Sequence, residues 1–282
     1  MGRFDRVLLT VDYDRTLTAP DSTIPERNLE AIRFFMAEGG AFTVNTGRSV
    51  ATFWQQIETI PANAPFLLYN GSAAYENGNL IQCHTIDLDV WQTMETMVAH
   101  FSDFNVEIQG TKAHYLLHEQ GDMVALYEAQ RWRHEKVQWG QDIGPFLKFS
   151  LYGCCRDNTV AQFFSGSAEE LQRLDEAEQQ IRRLFGDKVE VFRAAPRIID
   201  VHAKGVSKIR AARELQAKLG RSILVCVGDA ENDISMLDGA DYAFCPADGV
   251  VADRYETVCN CAEGAVADVI YKKIPEILAI RP

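Results

Sequence analysis

Three short apolar runs, each halted by a polar or acidic residue, constrain this chain more than anything else in it. Val7 to Val11 runs into Asp12, Ala41 to Val44 into Asn45-Thr46-Gly47, and Ile223 to Val227 into Gly228-Asp229. A nearly continuous apolar run suits a strand buried on both faces, as strands of parallel sheets are. Between the first two runs, Leu29, Ile32, Phe35 and Met36 recur at helical spacing after Pro25, and Gly39-Gly40 supplies the stop. Ser49 to Thr59 reads as a second helix, and Phe66 to Tyr69 as a third strand ending in Asn70-Gly71. This alternation implies right-handed crossovers and a parallel sheet.

The middle of the chain reads differently. A helix is expected near Val90 to Phe101, then strand-like text at Val106 to Ile108 and Tyr115 to Leu117, and a strand at Phe146 to Tyr152. Glu169 to Phe185 is amphipathic, with Val189 to Phe192 as a strand behind it. Helices on an antiparallel sheet fit this text, so an α+β domain is expected inside an α/β one. The parallel pattern returns with a helix at Gly205 to Leu219, the strand at Ile223, a short helix at Ile234 to Gly239, a strand at Tyr242 to Phe244 and helix from Ala265 to Leu278. The expected division is 1–83 and 196–282 for the outer domain and 84–195 for the insert.

Length and composition agree with that reading. At roughly 150 residues per domain, 282 residues make about two domains, and 47% hydrophobic with 24% charged residues is ordinary for a globular chain. The formal net charge of -12 argues against nucleic acid or an anionic membrane as partner. It also means that an anionic substrate needs a local positive focus. The seven cysteines sit in or beside apolar runs. Cys154-Cys155 and Cys259/Cys261 lack the spaced partners of a zinc site, so packing in a reducing, cytoplasmic protein is expected. No apolar segment opens the chain as a signal peptide would, Arg6 stands where a myristoylation motif needs a hydroxyl, and no run approaches the ~20 residues of a membrane span.

Four segments carry chemistry, each where an expected strand or helix meets a loop. In open α/β sheets ligands bind beyond the carboxyl ends of the strands. Asp12 and Asp14 flank one residue directly after a buried strand, either as paired carboxylates or as turn caps. Asn45-Thr46-Gly47-Arg48 offers a hydroxyl and backbone amides at the start of a helix, an anion-holding arrangement or an ordinary Thr cap. Lys208, in Gly205-Val206-Ser207-Lys208, is a point charge suited to phosphate or a surface lysine. Gly228-Asp229-Ala230-Glu231-Asn232-Asp233 crowds three acids and an amide, oxygen ligands of the kind Mg²⁺ takes. Such crowding is costly unless something positive neutralises it.

Taken in order, Asp-x-Asp-x-Thr, Thr-Gly-Arg, Gly-Val-Ser-Lys and Gly-Asp-x-x-Asn-Asp resemble the motifs of the haloacid dehalogenase superfamily. The Asn70-Gly71 turn and the long insert resemble its Cof-type branch. That resemblance implies a Rossmann-like parallel-sheet core with an inserted α+β cap of the C2 class. It implies a Mg²⁺-dependent phosphatase acting on a small phosphorylated metabolite such as a sugar phosphate, through an aspartyl-phosphate. Asp12 is then the nucleophile and Asp14 the general acid and base. Thr46, Gly47 and Lys208 hold the phosphoryl group, with Asn232 beside them. The metal falls to Asp12, the backbone carbonyl of Asp14, and Asp229. Asp233 and Asn232 complete the shell, directly or through water, with Asp233 behind the ligands.

One position departs from the family pattern. Arg15 stands where glycine is usual, either as an inert surface side chain or as one reaching into the site. The cap is expected to select the substrate, with His114, Tyr115, Trp132, Arg133 and Lys148 as polar and aromatic candidates. A sugar phosphomutase shares the same nucleophile, and a catalytically impaired binding protein is the reading from another class.

Overall fold

The computed structural model of this chain describes residues 2–118, 123–153 and 159–280, so Cys154 and Cys155 lie outside the described residues. The chain divides into two compact units. One takes Met1–Gly47, Gln55–Gln82 and Ser207–Pro282; the other takes Arg48–Trp54 and Cys83–Val206.

β1 (Val7–Val11) is buried along its whole length. α1 (Glu26–Ala37) begins after Pro25, whose φ of -55° is already close to helical, and Gly39 turns the chain out at φ +93°. β2 (Ala41–Val44) then pairs parallel with β1, and α2 (Val50–Thr59) follows. β3 (Phe66–Leu68) departs from expectation. It touches the β2 side through a single parallel bridge, Asn45 to Leu67, and pairs antiparallel with β4 (Ala73–Glu76). The chain reverses there because Tyr69 and Asn70 adopt left-handed φ values of 55° and 53°. β4 leads to β5 (Asn79–Cys83) through Asn77-Gly78, both at positive φ, the geometry a two-residue hairpin demands.

The second unit holds α3 (Val90–His100), β6 (Asn105–Gly110), β7 (His114–His118), α4 (Met123–Ala129), β8 (His134–Lys136), β9 (Phe146–Tyr152), α5 (Ala168–Phe185), β10 (Val189–Ala195) and β11 (Ile198–Ala203). Its sheet runs β10-β11-β9-β6-β7-β8, antiparallel except for β7 with β8. α5 starts on a reciprocal cap between Ser167 and Glu170. Met94, Met97, Leu174 and Ile181 from α3 and α5 pack with Val106, Ile108, Phe149 and Val201 on one sheet face. The opposite face carries Glu107, Gln109, Lys148, Ser150 and Asp200, all buried. β10 and β11 form one hairpin, so the position 195/196 falls inside it and the second unit runs on to Val206.

The first unit resumes with α6 (Lys208–Lys218), β12 (Ile223–Val227), α7 (Ile234–Asp238), β13 (Tyr242–Pro246), β14 (Glu256–Val258), α8 (Ala265–Asp268) and α9 (Ile274–Ile280). Its sheet is wholly parallel, in the order β14-β13-β12-β1-β2. β1 and β12 are central neighbours, paired from Val7 with Ile223 to Val11 with Val227. Their last residues are therefore side by side, and so are the acids that follow. The α/β class and the inserted α+β arrangement expected from the sequence are what the molecule shows. Among the described residues no helix is long and apolar enough to cross a membrane.

Candidate active site

Asp12 extends β1 by one residue, its N–H donating to the Val227 carbonyl at 2.9 Å. The chain then makes a wide turn over Tyr13–Leu17, closed by Leu17 N–H to Asp12 C=O at 3.2 Å and Thr18 N–H to Tyr13 C=O at 3.0 Å. This turn aims Thr16 back at the neighbouring strand end, where its hydroxyl donates to Asp229 Oδ1 at 2.9 Å. Arg15 sits at φ 58°, ψ 11°, the left-handed region in which glycine is unstrained. It is exposed, and its charge helps hold Asp248 below the ordinary carboxylate range. Burial acts against that shift, and the Cys261 N–H and thiol favour it more strongly than Arg15 does.

Beyond β12 the loop folds back on itself. A Cβ on Gly228 would lie 2.6 Å from the Asp233 side chain, so only glycine lets Asp233 reach under the loop. Asp233 Oδ2 accepts the N–H groups of Asp229 and Ala230 at 3.0 and 3.1 Å. Its Oδ1 accepts from Lys208 Nζ at 2.6 Å, and the same ammonium donates to Asp12 Oδ1 at 2.6 Å. Lys208 comes from the first turn of α6, which Ser207 caps by accepting the Arg210 N–H. All three ion-pair partners are buried, Lys208 to 1% exposure. Removing the lysine alone would leave uncompensated buried charge, at a cost of about 3–5 kcal/mol.

Asp12, Asp229 and Asp233 bring carboxylate oxygens within 4.8 Å of one another. Three buried acids share one lysine, and the electrostatics show the imbalance. Burial lifts Asp12 well above the ordinary carboxylate range; Lys208 opposes this, while Asp233, Asp229 and Asp14 reinforce it. Asp229 is pushed up to about 7 by burial and by Asp233, against the Thr16 hydroxyl and Lys208. For Lys208, burial alone would favour the neutral amine, but Asp12 and Asp233 outweigh it and hold the group charged. A divalent cation would relieve the surplus of negative charge, so the donor set fits a hard, oxygen-seeking ion.

Asp14 is half-buried; its carboxylate is outside the three-acid group but near enough to raise both Asp12 and Asp229. Thr46 is buried just past β2, its N–H bound to Leu67 C=O at 2.9 Å and its C=O to Asn70 N–H at 3.0 Å. Gly47 is held close to Asn70, whose Oδ1 would lie 3.0 Å from an added Cβ. Asn232 is half-buried in the turn Glu231–Asp233. The cap candidates each have a structural neighbour. His114 Nε2 lies 2.6 Å from Ser49 Oγ, Lys148 bonds Asp200 at 2.8 Å, and the Arg133 guanidinium stacks 4.5 Å over Trp54. Trp132 packs on Tyr127, and Tyr115 belongs to the unit's apolar core. Two residues quoted within the motifs had no role from sequence alone: Thr16, which steadies Asp229, and Asn45, whose amide donates to the Lys208 carbonyl at 2.8 Å. The Cys259 and Cys261 thiols are free and are pushed up by burial, as packed cysteines are.

Residues 9–250 match the family model of haloacid dehalogenase-like hydrolases. The 5-amino-6-(5-phospho-D-ribitylamino)uracil phosphatase YcsE of Bacillus subtilis is 23% identical over 267 residues, which cover 92% of this chain and 93% of that protein. Among solved structures, a haloacid dehalogenase-like hydrolase from Bacteroides thetaiotaomicron superposes with a TM-score of 0.75 at 17% identity, covering 94% of this chain and 98% of the other. The subclass IIB sugar phosphatase BT4131 superposes with a TM-score of 0.72 at 18% identity, covering 97% and 99%. The order of the four motifs, the paired strand ends that bring them together and the family match agree: the chain belongs to the haloacid dehalogenase-like hydrolases.

Proposed function

We propose that this chain is a Mg²⁺-dependent phosphatase that hydrolyses a small phosphate monoester, a sugar phosphate or similar metabolite, through an aspartyl-phosphate. The observation that carries the reading is the state of Asp12. Its Oδ1 is pinned by Lys208 at 2.6 Å, while Oδ2 has no hydrogen bond among the described residues. One oxygen is thus oriented and the other is left to attack. The names of the relatives, a ribitylaminouracil phosphatase and a sugar phosphatase, support the same reaction class.

Asp12, Asp229 and the Asp14 carbonyl are the proposed metal ligands. Asp233 has both oxygens engaged by Lys208 and two backbone N–H groups, which suits a place behind the ligands. When bound, Mg²⁺ offsets the negative charge that otherwise keeps a carboxylate and a phosphate apart. Lys208 does the same from the side of the fixed oxygen, and the Thr46 hydroxyl with the Gly47 amide orients the phosphoryl oxygens. Asp12 Oδ2 forms a bond to phosphorus as the ester P–O bond breaks, and Asp14 gives its proton to the departing alcohol oxygen. Asp14 then takes a proton from water as that water attacks phosphorus, which frees Asp12 and releases inorganic phosphate. Free cysteines support a reducing, cytoplasmic setting.

The test is a panel of phosphate esters assayed with Mg²⁺ and with chelator. Release of phosphate that needs Mg²⁺ and falls by at least about 10³-fold in Asp12→Asn is the expected result. Turnover by Asp12→Asn at the wild-type rate removes the nucleophile. Activity that appears only with a sugar bisphosphate present turns the reading into a mutase.

A further inference from the structure

Asn45 has no part in the chemistry above, yet its environment is a poor one for an amide. The side chain is fully buried beside Met236, a member of an apolar cluster that also includes Leu8, Leu67 and Cys226. Its Oδ1 has no hydrogen-bond partner. A buried acceptor without a partner costs stability, and a leucine of similar volume would avoid that cost. What the amide does make is specific. Nδ2 donates to the Lys208 carbonyl at 2.8 Å and to Met236 Sδ at 3.6 Å. The assignment of nitrogen and oxygen is fixed chemically, because the atom facing a carbonyl must be a donor.

The Asn45 main chain is equally engaged. Its N–H donates to Val11 C=O at 2.8 Å, directly before Asp12, and it bridges to Leu67 directly before Thr46. One residue therefore ties the strand end that carries Asp12, the segment that carries Thr46 and the first residue of α6. That last link matters because Lys208 is a flexible four-carbon stem on a helix end, where fraying is easiest. Its ammonium meets Asp12 and Asp233 at 2.6 Å each, distances that a small shift of the main chain would open.

We infer that Asn45 is a positioning residue: its amide fixes the Lys208 main chain so that the ammonium stands at the phosphate site. The inference rests on the phosphatase reading for its effect on phosphate, but not for its effect on Lys208. The experiment compares wild type, Asn45→Leu and Asn45→Ser by melting temperature, by hydrogen exchange across Lys208–Ala211, by calorimetric binding of inorganic phosphate with Mg²⁺, and by KM and kcat on an aryl phosphate. Asn45→Leu should melt at or above the wild-type temperature. It should exchange faster at Lys208–Ala211, and its phosphate Kd and KM should both rise about tenfold while kcat changes much less. Asn45→Ser, which keeps a donor, should recover part of the phosphate affinity. Unchanged exchange and phosphate affinity in a folded Asn45→Leu overturn the inference, as does a loss that follows only a fall in melting temperature. If wild type hydrolyses no ester, the phosphatase reading fails; exchange at Lys208–Ala211 still decides whether Asn45 holds the lysine.

Discussion

Arg15 combines a strained backbone with an exposed side chain. Its φ of 58° lies in the region an L-residue enters at a cost of about 1 kcal/mol, and its exposed side chain interacts with Asp248 and Cys261. Arg15→Gly should therefore raise stability by up to about 1 kcal/mol, a few degrees in melting temperature, with kcat/KM unchanged within a factor of about two. A large change in kcat/KM would show the guanidinium acting on substrate instead. Thr16 makes the opposite case. Among the described residues its hydroxyl bonds Asp229 Oδ1 alone, at 2.9 Å, which suits it to orient a proposed metal ligand. Thr16→Val should raise the Mg²⁺ concentration for half-maximal activity by about 10-fold, the low end for outer-shell partners, while kcat at saturating Mg²⁺ stays within a few-fold. A Mg²⁺ titration checks this, and an unshifted midpoint would remove Thr16 from that role.

At the scale of elements, the polar face of the second unit's sheet is the least expected feature. Glu107 accepts from Tyr127, from Tyr152 at 2.6 Å and from Gln109 at 2.6 Å, and it lies 3.3 Å from His114. Burial would raise its carboxyl, but His114, Tyr152 and Lys148 together hold it below the ordinary range. His202, on β11 opposite Lys148 of β9 and Glu190 of β10, is fully buried. Burial, with Lys148 adding to it, holds its imidazole well below the ordinary range. The unfolded chain takes up a proton near pH 6.5 and the folded chain only at lower pH, so stability present above about 6.5 is lost as pH falls beneath it. Between pH 7.5 and 5.5 this one group removes no more than about 1.4 kcal/mol per pH unit, while proton uptake at Asp12 and Asp229 acts in the opposite sense, so the readout is the difference between two proteins: in urea unfolding, His202→Gln should lose less stability than wild type as pH falls. Equal slopes in the two proteins would contradict this.

That same sheet explains what was legible in the sequence and what was not. β1, β2 and β12 were readable because burial on both faces leaves a solid apolar run, and α5 because its apolar positions recur at helical spacing. β11 was hidden: Asp200 and His202 make it look like a solvated segment, and it is Lys148 and Ser150 of β9, about fifty residues away, that bond the Asp200 carboxylate in the buried sheet face. β5 was missed for a different reason, since its residues are mostly exposed and no apolar pattern marks it, although Asn77-Gly78 was a hairpin signal in plain view. In the site, residue types and their order pointed to Asp12, Asp229, Asp233 and Lys208, which the structure brings together. The bonds from Thr16 to Asp229 and from Asn45 to Lys208 span 213 and 163 residues, and no local pattern encodes them.

At the scale of the whole molecule, a chain with a net charge of -12 gathers three buried acids around one lysine and is proposed to bind a phosphate there. Long-range electrostatics oppose that substrate, so affinity must come from short-range, desolvated groups; those proposed here are Lys208, the backbone amides and Mg²⁺. The parallel pairing of β1 with β12 makes such a centre from opposite ends of the chain, because the two strands finish level at Val11 and Val227. The most direct test of a carboxylate that attacks phosphorus is an acid-quenched single turnover, with Mg²⁺ and a radiolabelled phosphate ester that the enzyme hydrolyses. Wild type should retain hydroxylamine-labile label on the peptide containing Asp12, and Asp12→Asn should retain none. Label on the Asp12→Asn protein, or wild-type phosphate release without any labelled protein at the earliest times, would contradict the account.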